Sequence, residues 1–534
     1  MPLRTLAMTS AALALLSGPA FADFNLTILH INDFHSRIEP INKYDSTCSA
    51  SDDAEGKCFG GAARVATIIN DTRAQLIAEG KNVLVLDAGD QFQGSLFYTT
   101  YKGAAEAEVM EKIGFDVMAV GNHEFDDGPA ALAAFAEKVS FPIISSNLDL
   151  TKSAELSGKI GDHVVLEVGG QKVGIISALA TDTVDTSSPG PDVVFADEIE
   201  ALTAAVTKLE AQGVQHIIAL THVGYNLDQR IAAQVPGIDA VVGGHSHTYL
   251  SATDDKATGL YPTMVANPTG AEVPVVTAYA YGKYMGHLDL AFDDAGKVVS
   301  AGGDVRVIDA SITPNAEIAA RVAEMGGPIA DLKAKVVAEA SGDIDGDRTT
   351  CRQVECQMGN LVSDAMLDRV RDQGVTIAIQ NGGGLRASIQ GGLVTMGDVL
   401  TVLPFQNTLA TFQVTGATVV AALENGVSEV ADGAGRFAQV AGLKYTFDPA
   451  LPAGARVSDV MVEEHGVWSA IDPAKIYGVV SNNYVRSGGD GFRMFATDSI
   501  NAYDFGPDLA DVLAEYMIKN APYQPYLDGR ITRR

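Results

Sequence analysis

Basic residues are scarce in this chain of 534 residues. Lys and Arg together number 37 against 67 Asp and Glu, which gives a formal net charge of −30 at pH 7. A protein that binds by neutralising nucleic-acid phosphates, or by a basic membrane-binding face, needs an excess of positive charge. We therefore expect no nucleic-acid partner. Any anionic ligand must be bound by local cations or by metal ions, against the overall field.

Long apolar runs are also missing beyond the N-terminus. There, Arg4, an apolar run over residues 11–16 and the sequence Ala20, Phe21, Ala22 form a pattern typical of a cleaved signal peptide. The run is shorter than the roughly 20 residues that cross a bilayer, and no C-terminal anchor tail is visible. The sequence predicts a signal peptide at residues 1–22, a periplasmic or secreted product and no membrane span. A buried N-terminal helix is the alternative.

Cysteine is rare, and its four copies fall into two close pairs, Cys48 with Cys58 and Cys351 with Cys356. Four cysteines allow three connectivities, of which the local one is favoured by proximity in an oxidising compartment. The alternative is a zinc site of four thiolates, although neither pair has the C-x2-C spacing that such sites prefer.

Short β-rich runs alternate with helical patterns through the first half of the chain. The strand patterns cover residues 25–31, 82–86, 117–120, 173–178, 216–220 and 240–242, and the helical patterns cover 62–78, 105–113, 130–138 and 198–211. This alternation predicts an α/β layered domain.

The second half begins after a segment rich in Ala, Glu and Lys at residues 313–338. We interpret this segment as a helical linker with a break at residues 326–328, Gly-Gly-Pro. A helix at 360–373 and strands at 376–379, 443–447 and 476–480 follow. The predicted domains are therefore residues 23–311, a linker at 312–339, and residues 340–534.

Five polar clusters each follow a predicted strand of the first domain. Because ligands bind beyond the carboxyl ends of strands in α/β sheets, these clusters are expected to meet at one site. Their candidate metal ligands are Asp33, His35, Asp90, Asn122, His222, His245 and His247. Carboxylate, amide and imidazole groups together suit two borderline divalent ions bridged by Asp90. A lone histidine after a strand is more often structural, so the interpretation depends on all five clusters.

These motifs, D-x-H, G-D, G-N-H-E-F-D, T-H and G-H-S-H, resemble those of the calcineurin-like metallophosphoesterases. Residues 30–37, HINDFHSR, resemble the secreted 5'-nucleotidase family, which includes periplasmic 5'-nucleotidase/UDP-sugar hydrolases and ecto-5'-nucleotidase. The resemblance extends over essentially the whole mature chain. It implies an α/β fold with an N-terminal four-layer metallophosphoesterase β-sandwich and flanking helices, a helical linker, and a smaller α/β C-terminal nucleotide-binding domain.

The resemblance also implies roles for individual residues. One metal is expected on Asp33, His35, Asp90 and His247, and the other on Asp90, Asn122, His222 and His245. The donor set fits zinc or manganese better than calcium, so zinc is the expected ion, with manganese or cobalt as alternatives. His247 stands where relatives often carry Asn or Gln, which leaves the choice among these ions open. His123 is expected to be catalytic with Asp126 as its partner. Glu124, which lies between them in the sequence, is interpreted from the residues as a structural or solvated carboxylate, with a direct role as the alternative.

In the second domain the resemblance implies substrate recognition. Arg352 lies between two cysteines, as does a phosphate-binding arginine of the family, and Asn381 and Arg386 belong to an N-G-G-G-x-R motif. Phe405 and Tyr484 match the aromatic residues that sandwich a nucleobase, with Tyr in place of the Phe of several relatives. Asp490 matches the aspartate that holds the sugar.

The resemblance predicts an exported two-metal 5'-nucleotidase that hydrolyses nucleoside 5'-monophosphates such as AMP with metal-activated water. One alternative is a UDP-sugar or dinucleotide pyrophosphatase, or a 2',3'-cyclic nucleotide phosphodiesterase, on the same site. Another is a nucleotide-binding or adhesive protein without activity. The expected partner is a small-molecule nucleotide, and the expected oligomeric state is monomer or homodimer.

Overall fold

The structure is a computed structural model that describes residues 24–43, 45, 47–405, 407–504 and 506–534. The signal peptide expected at residues 1–22 lies outside these residues and stays a prediction. Among the described helices, none has both the length and the apolar character needed to cross a bilayer.

Two six-stranded mixed sheets form the N-terminal part. The first contains, in spatial order, Val298–Val307, Tyr284–Phe292, Phe24–Ile31, Asn82–Asp87, Val117–Ala119 and Ile143–Ile144. The second contains Thr263–Ala266, Glu272–Val276, Ala240–Gly243, His216–His222, Gln171–Leu179 and His163–Val168. The central strands are nearly continuous apolar runs, because parallel strands inside a layered fold are buried on both faces.

The two sheets pack face to face, and helices cover their outer faces. Ile28 and Leu84 of the first sheet share one buried cluster with Ile218 and Val242 of the second. The helices of this part are Ala50–Ala54, Ala62–Ala78, Leu96–Tyr101, Ala104–Ile113, Pro129–Ala136, Thr183–Thr186, Glu198–Glu210 and Tyr225–Gln234. Helices, sheet, sheet and helices make up the four layers, so the predicted fold class is confirmed.

Local sequence accounts for where these helices begin. Asp197 caps Glu198–Glu210 by accepting the backbone N–H of Glu200 at 3.0 Å, and an acidic N-cap satisfies donors that the first turn leaves unpaired. Pro129 opens its helix directly after Gly128, where the missing N–H of proline removes no hydrogen bond.

One long helix, Ala316–Ala334, runs through the predicted linker without the predicted break, although Pro328 lies inside it. The helix buries four apolar side chains in the core of the N-terminal part: Ile318, Val322, Met325 and Ile329. An interior proline costs about 3 kcal/mol, whereas each fully buried aliphatic side chain contributes about 1.5–3 kcal/mol. The free energy gained by packing these four side chains therefore exceeds the cost of the proline inside the helix. The domain boundaries at 311/312 and 339/340 stay predictions.

The C-terminal part contains two larger sheets. A five-stranded sheet is ordered Ala438–Ala441, Val375–Asn381, Ile476–Asn482, Leu409–Thr415 and Ile500–Tyr503, and a four-stranded sheet is ordered Val467–Ala470, Val457–Glu464, Leu443–Phe447 and Ile531–Arg533. A two-stranded sheet pairs Val336–Ala340 with Gly392–Thr395. The helices are Arg348–Cys351, Gln357–Val370, Met396–Val402, Gly416–Val427, Asn483–Arg486, Arg493–Asp498 and Leu509–Lys519.

Both cysteine pairs form disulfides with their near neighbours. Cys48 is bonded to Cys58 and Cys351 to Cys356. The expected local connectivity is confirmed, and the alternative of a zinc site of four thiolates is wrong because all four sulfur atoms are used.

Candidate active site

Polar side chains at the ends of five strands converge on one buried cluster between the two N-terminal sheets. The seven predicted ligands lie at or just beyond the carboxyl ends of these strands. Five of them have positive φ angles: Asp33 (51°), His35 (50°), Asp90 (60°), His245 (76°) and His247 (51°). Left-handed backbone at a non-glycine residue costs about 1–3 kcal/mol and is concentrated at functional sites. So many such residues in one cluster indicate that function, not stability, sets this geometry.

The first group of ligand atoms comes from Asp33, His35 and His247, which lie within 4.8 Å of one another. Nε2 of His247 is 3.1 Å from Oδ1 of Asp33 and 3.0 Å from Nε2 of His35. All three side chains are buried.

The second group contains Asp90, Asn122, His222 and His245. Nε2 of His222 lies 3.1 Å from Oδ2 of Asp90 and 3.2 Å from Oδ1 of Asn122. Nδ1 of His245 lies 2.8 Å from the same amide oxygen. Oδ2 of Asp90 is also 3.7 Å from Nε2 of His35. Asp90 therefore lies between the two groups, in the position that a bridging carboxylate needs.

The histidines are prepared to act as ligands. Nδ1 of His35 bonds the carbonyl oxygen of Phe92 at 3.1 Å, and Nδ1 of His222 bonds that of Ala88 at 2.6 Å. A carbonyl only accepts, so each Nδ1 carries a proton and Nε2 is the ring nitrogen left for a metal ion. Burial opposes protonation of His222, but the Asp90 carboxylate outweighs it and raises the pKa of His222 to about 10, so an ion that binds there must displace a proton. Burial holds the pKa of His35 well below its usual range, which favours the neutral ring that metal binding requires. The donor set fits divalent metal ions.

His123 and Asp126 form a hydrogen-bonded pair beside this cluster. Nδ1 of His123 lies 2.6 Å from Oδ2 of Asp126, and the backbone N–H of His123 donates to Oδ1 of Asp90 at 2.9 Å. Burial opposes protonation of the ring, but the carboxylates of Asp126 and Asp90 outweigh it and raise the pKa of His123. The other oxygen of Asp126 accepts from the Ser187 hydroxyl at 2.7 Å. Sequence reasoning missed Ser187, because 61 residues separate the two.

Glu124 binds backbone rather than solvent. Its Oε2 accepts the N–H groups of Asp90 and Gly121 at 3.0 and 2.7 Å. Its Oε1 accepts those of Gln91 and Phe92 at 2.8 and 3.1 Å. The side chain is fully buried, so the expectation of a structural carboxylate holds and that of a solvated one is wrong. Glu124 fixes the loop that carries Asp90.

Three arginines of the C-terminal part face the metal-ligand cluster. Nη2 of Arg386 is 3.2 Å from Nε2 of His35, and Nη2 of Arg348 donates to the carbonyl of His245 at 3.0 Å. Arg352 is buried and its Nη1 is 3.5 Å from the carbonyl of Gly433. Within the described part of the chain, none of the three forms an ion pair with a carboxylate. Sequence reasoning missed Arg348, whose spacing of four residues from Arg352 was an available signal.

A cavity of about 710 Å³ joins the two parts. The predicted site residues that line it are Asp90, Asn122, His123, Asp126, His245, Arg352, Asn381, Arg386, Phe405, Tyr484 and Asp490. The four remaining ligands, Asp33, His35, His222 and His247, lie deeper. The ring of Phe405 stacks on His123, with centroids 5.8 Å apart and planes at 24°. Every residue predicted for the site is therefore part of one continuous arrangement.

The chain is similar to two family models, to curated proteins and to solved structures. The family model described as calcineurin-like phosphoesterase matches residues 26–249, and that described as 5'-nucleotidase, C-terminal domain, matches residues 333–497. A 5'-nucleotidase of Diplobatis ommata is 38% identical over 96% of this chain and 90% of its own length. One of Bos taurus is 37% identical over 99% and 94%. A solved 5'-nucleotidase precursor of Thermus thermophilus superposes with a TM-score of 0.90 at 38% identity, covering 96% of this chain and 99% of that one.

Proposed function

The chain belongs to the 5'-nucleotidase family of calcineurin-like phosphoesterases, which are metal-dependent phosphomonoester hydrolases, and we propose that it hydrolyses nucleoside 5'-monophosphates to nucleoside and phosphate. The observation that supports this most strongly is the shared cavity, in which the proposed metal ligands and a histidine–aspartate pair face three arginines that form no ion pair with any described carboxylate. Metal ions and arginines together are what a phosphate dianion needs for binding in a protein of net charge −30.

We assign two metal ions to the cluster, with zinc as the expected ion. One is assigned to Asp33, His35, Asp90 and His247, and the other to Asp90, Asn122, His222 and His245. Such ions, when bound, supply Lewis-acid charge and lower the pKa of water in the site. Asp90 takes part in both sets, and its loop is held by Glu124.

His123 is the proposed general acid. Asp126 holds Nδ1 of the ring, so Nε2 is the atom left to hold a proton for the leaving alkoxide oxygen. The stacked ring of Phe405 keeps the imidazole in place from one side. The raised pKa of His123 favours the protonated ring that this step consumes.

The C-terminal part supplies binding groups. Arg352 and Arg386 are the proposed partners of the phosphate oxygens, since guanidinium groups match phosphate geometry. Phe405 and Tyr484 are the proposed stacking residues for the base, a contact worth about 1–3 kcal/mol that tolerates different bases. Asn381 and Asp490 are assigned to the sugar.

The test is phosphate release from AMP, ADP, UDP-glucose and bis(p-nitrophenyl) phosphate by protein loaded with zinc or manganese. We expect AMP to be the best substrate and His123→Ala to lower kcat about 100-fold or more. His163→Ala is the matched control, because it removes another histidine–aspartate pair, to Asp162 at 2.8 Å, outside the cavity. A preference for UDP-glucose would favour the pyrophosphatase alternative, and no release by metal-loaded protein would refute the proposal.

Export is part of the same proposal. The disulfides form readily only in an oxidising compartment, and a leader at residues 1–22 would deliver the chain there. N-terminal sequencing of protein secreted to the periplasm of a bacterial host should give Asp23 as the first residue. A retained Met1 would refute the cleavage.

A further inference from the structure

The hydroxyl of Tyr484 is bonded twice to one residue of the cavity wall. It donates to Oδ1 of Asp490 at 3.1 Å and accepts the backbone N–H of the same residue at 3.1 Å. The ring lies against Gly489, where an added Cβ would come within 2.4 Å of it. Both the ring and its hydroxyl are therefore fixed. Burial, reinforced by the neighbouring carboxylate, raises the pKa of Tyr484 well above its usual range, so the hydroxyl keeps its proton.

Asp490 is held from its other side by amide groups. Nδ2 of Asn381 donates to Oδ2 at 2.7 Å, and Nδ2 of Asn425 donates to the main-chain carbonyl at 3.0 Å. The residue has a φ of 52°, is 5% exposed and lines the cavity. Among the described residues, its carboxylate thus has one protein donor on each oxygen.

A carboxylate has about four acceptor positions, two on each oxygen. With one position on each oxygen taken by Tyr484 and Asn381, one remains on each. Two acceptors on adjacent oxygens of a fixed carboxylate match two adjacent hydroxyl groups of a sugar. They match a single hydroxyl less well, since one acceptor would then stay unpaired in a buried site.

We propose that the Tyr484 hydroxyl orients the Asp490 carboxylate to accept from a vicinal diol and so selects ribonucleotides over 2'-deoxyribonucleotides. The inference rests on the proposed nucleotidase function. Tyr484 acts here through Asp490 and is a positioning residue in this respect, separately from the stacking role of its ring. Phe at this position would keep the ring but remove the donor to Oδ1, so the carboxylate of Asp490 could turn about its Cβ–Cγ bond.

The experiment compares AMP with 2'-deoxy-AMP in steady-state kinetics for the wild type and Tyr484→Phe. A lost hydrogen bond to a charged acceptor typically lowers selectivity roughly 10- to 100-fold. We expect the wild type to prefer AMP in kcat/KM by such a factor. In the variant this preference should fall at least fivefold, mainly through a KM that rises more for AMP than for 2'-deoxy-AMP.

Tyr526→Phe is the matched control. The Tyr526 hydroxyl also donates to a carboxylate, Oδ2 of Asp364 at 2.5 Å, and accepts an N–H, from Nη2 of Arg530 at 2.8 Å, and it does not line the cavity. In this variant the ratio of kcat/KM for AMP to kcat/KM for 2'-deoxy-AMP should equal that of the wild type. Calorimetric binding of adenosine and 2'-deoxyadenosine provides a readout that needs no turnover and should show the same loss of discrimination in Tyr484→Phe.

Two results would overturn the inference while leaving the proposed function intact. One is a Tyr484→Phe protein whose ratio of kcat/KM for AMP to kcat/KM for 2'-deoxy-AMP equals that of the wild type. The other is an equal loss of kcat on both substrates, which would indicate a disturbed fold rather than a misplaced carboxylate. A wild type that does not hydrolyse AMP would instead refute the proposed function, and this inference with it.

Discussion

Replacement of Glu124 by glutamine tests how the metal-ligand loop is held. Each oxygen of this carboxylate accepts two backbone N–H groups, so all four acceptor positions are used. Glutamine replaces one oxygen with an NH2 group, which only donates. Whichever way the amide turns, two backbone N–H groups then face a donor, either those of Asp90 and Gly121 or those of Gln91 and Phe92.

The magnitude follows from these four contacts. Each buried donor left unpaired costs about 1–3 kcal/mol, so Glu124→Gln should cost about 2–6 kcal/mol locally. The loop can avoid this cost by leaving its left-handed conformation at Gly89 (φ 90°) and Asp90 (φ 60°), but the carboxylate of Asp90 then moves. Loss of groups that orient metal ligands typically lowers metal affinity about 10- to 100-fold. We expect Glu124→Gln to lower metal affinity by a factor in this range.

The assay is calorimetric titration of zinc and manganese into metal-free protein, with thermal unfolding and kinetics on AMP alongside. We expect weaker metal binding, a kcat lower by about tenfold or more at saturating metal, and a KM that changes less. Glu198→Gln is the control, because Glu198 is also buried but, within the part of the chain that the structure describes, accepts only the N–H of Thr181 at 2.8 Å. A folded Glu124→Gln protein with metal affinity and kcat within twofold of the wild type would refute the reasoning.

Three further predictions follow. Ser187→Ala removes the donor to Asp126, so kcat should fall about tenfold at unchanged KM, and an unchanged kcat in steady-state kinetics would contradict this. Arg348→Ala removes one of the three cavity guanidinium groups that lack an ion pair among the described residues, so KM for AMP should rise about tenfold; an equal KM would show that Arg348 does not bind phosphate. Burial raises the pKa of Asp239 to about 8, so the folded state holds a proton that the unfolded state releases near pH 4, and stability falls as pH rises between these values. Asp239→Asn keeps an acceptor for the N–H of Ile217 and should gain stability relative to the wild type between pH 5 and pH 9 in urea unfolding, whereas a pH-independent difference would contradict the assignment.

The strands were predictable because strands buried on both faces are nearly continuous apolar runs in the sequence. The strand expected at residues 82–86 is Asn82–Asp87, and the helix expected at 198–211 is Glu198–Glu210. The convergence of the seven proposed ligands on one cluster was predictable for a related reason. Each follows such a strand, so locating the strands located the site. Motif resemblance then added roles that spacing alone does not give.

Residues missed by sequence reasoning act through contacts between distant segments. Ser187 reaches Asp126 across 61 residues, and Arg348 reaches the carbonyl of His245 across 103. A loop serine has no periodicity that marks it as different from a solvated side chain, and the available signal for Arg348 was its spacing of four residues from Arg352. The unbroken helix around Pro328 was missed for the same physical reason, since the packing that outweighs the local cost comes from another part of the chain.

The three arginines of the cavity lower the stability of the free protein. Burial, together with the neighbouring guanidinium groups of Arg348 and Arg386, holds the pKa of Arg352 well below its usual range. Burial and the guanidinium group of Arg386 also lower the pKa of Arg348. Carboxylates are abundant in a chain of net charge −30, yet none pairs with these groups among the residues that the structure describes. An ion pair would stabilise the free protein but would have to be broken before phosphate could bind. Under the proposed function, keeping the cations unpaired would transfer that stabilisation to the bound state, because a phosphate held by Arg352 and Arg386 would relieve the repulsion within the group.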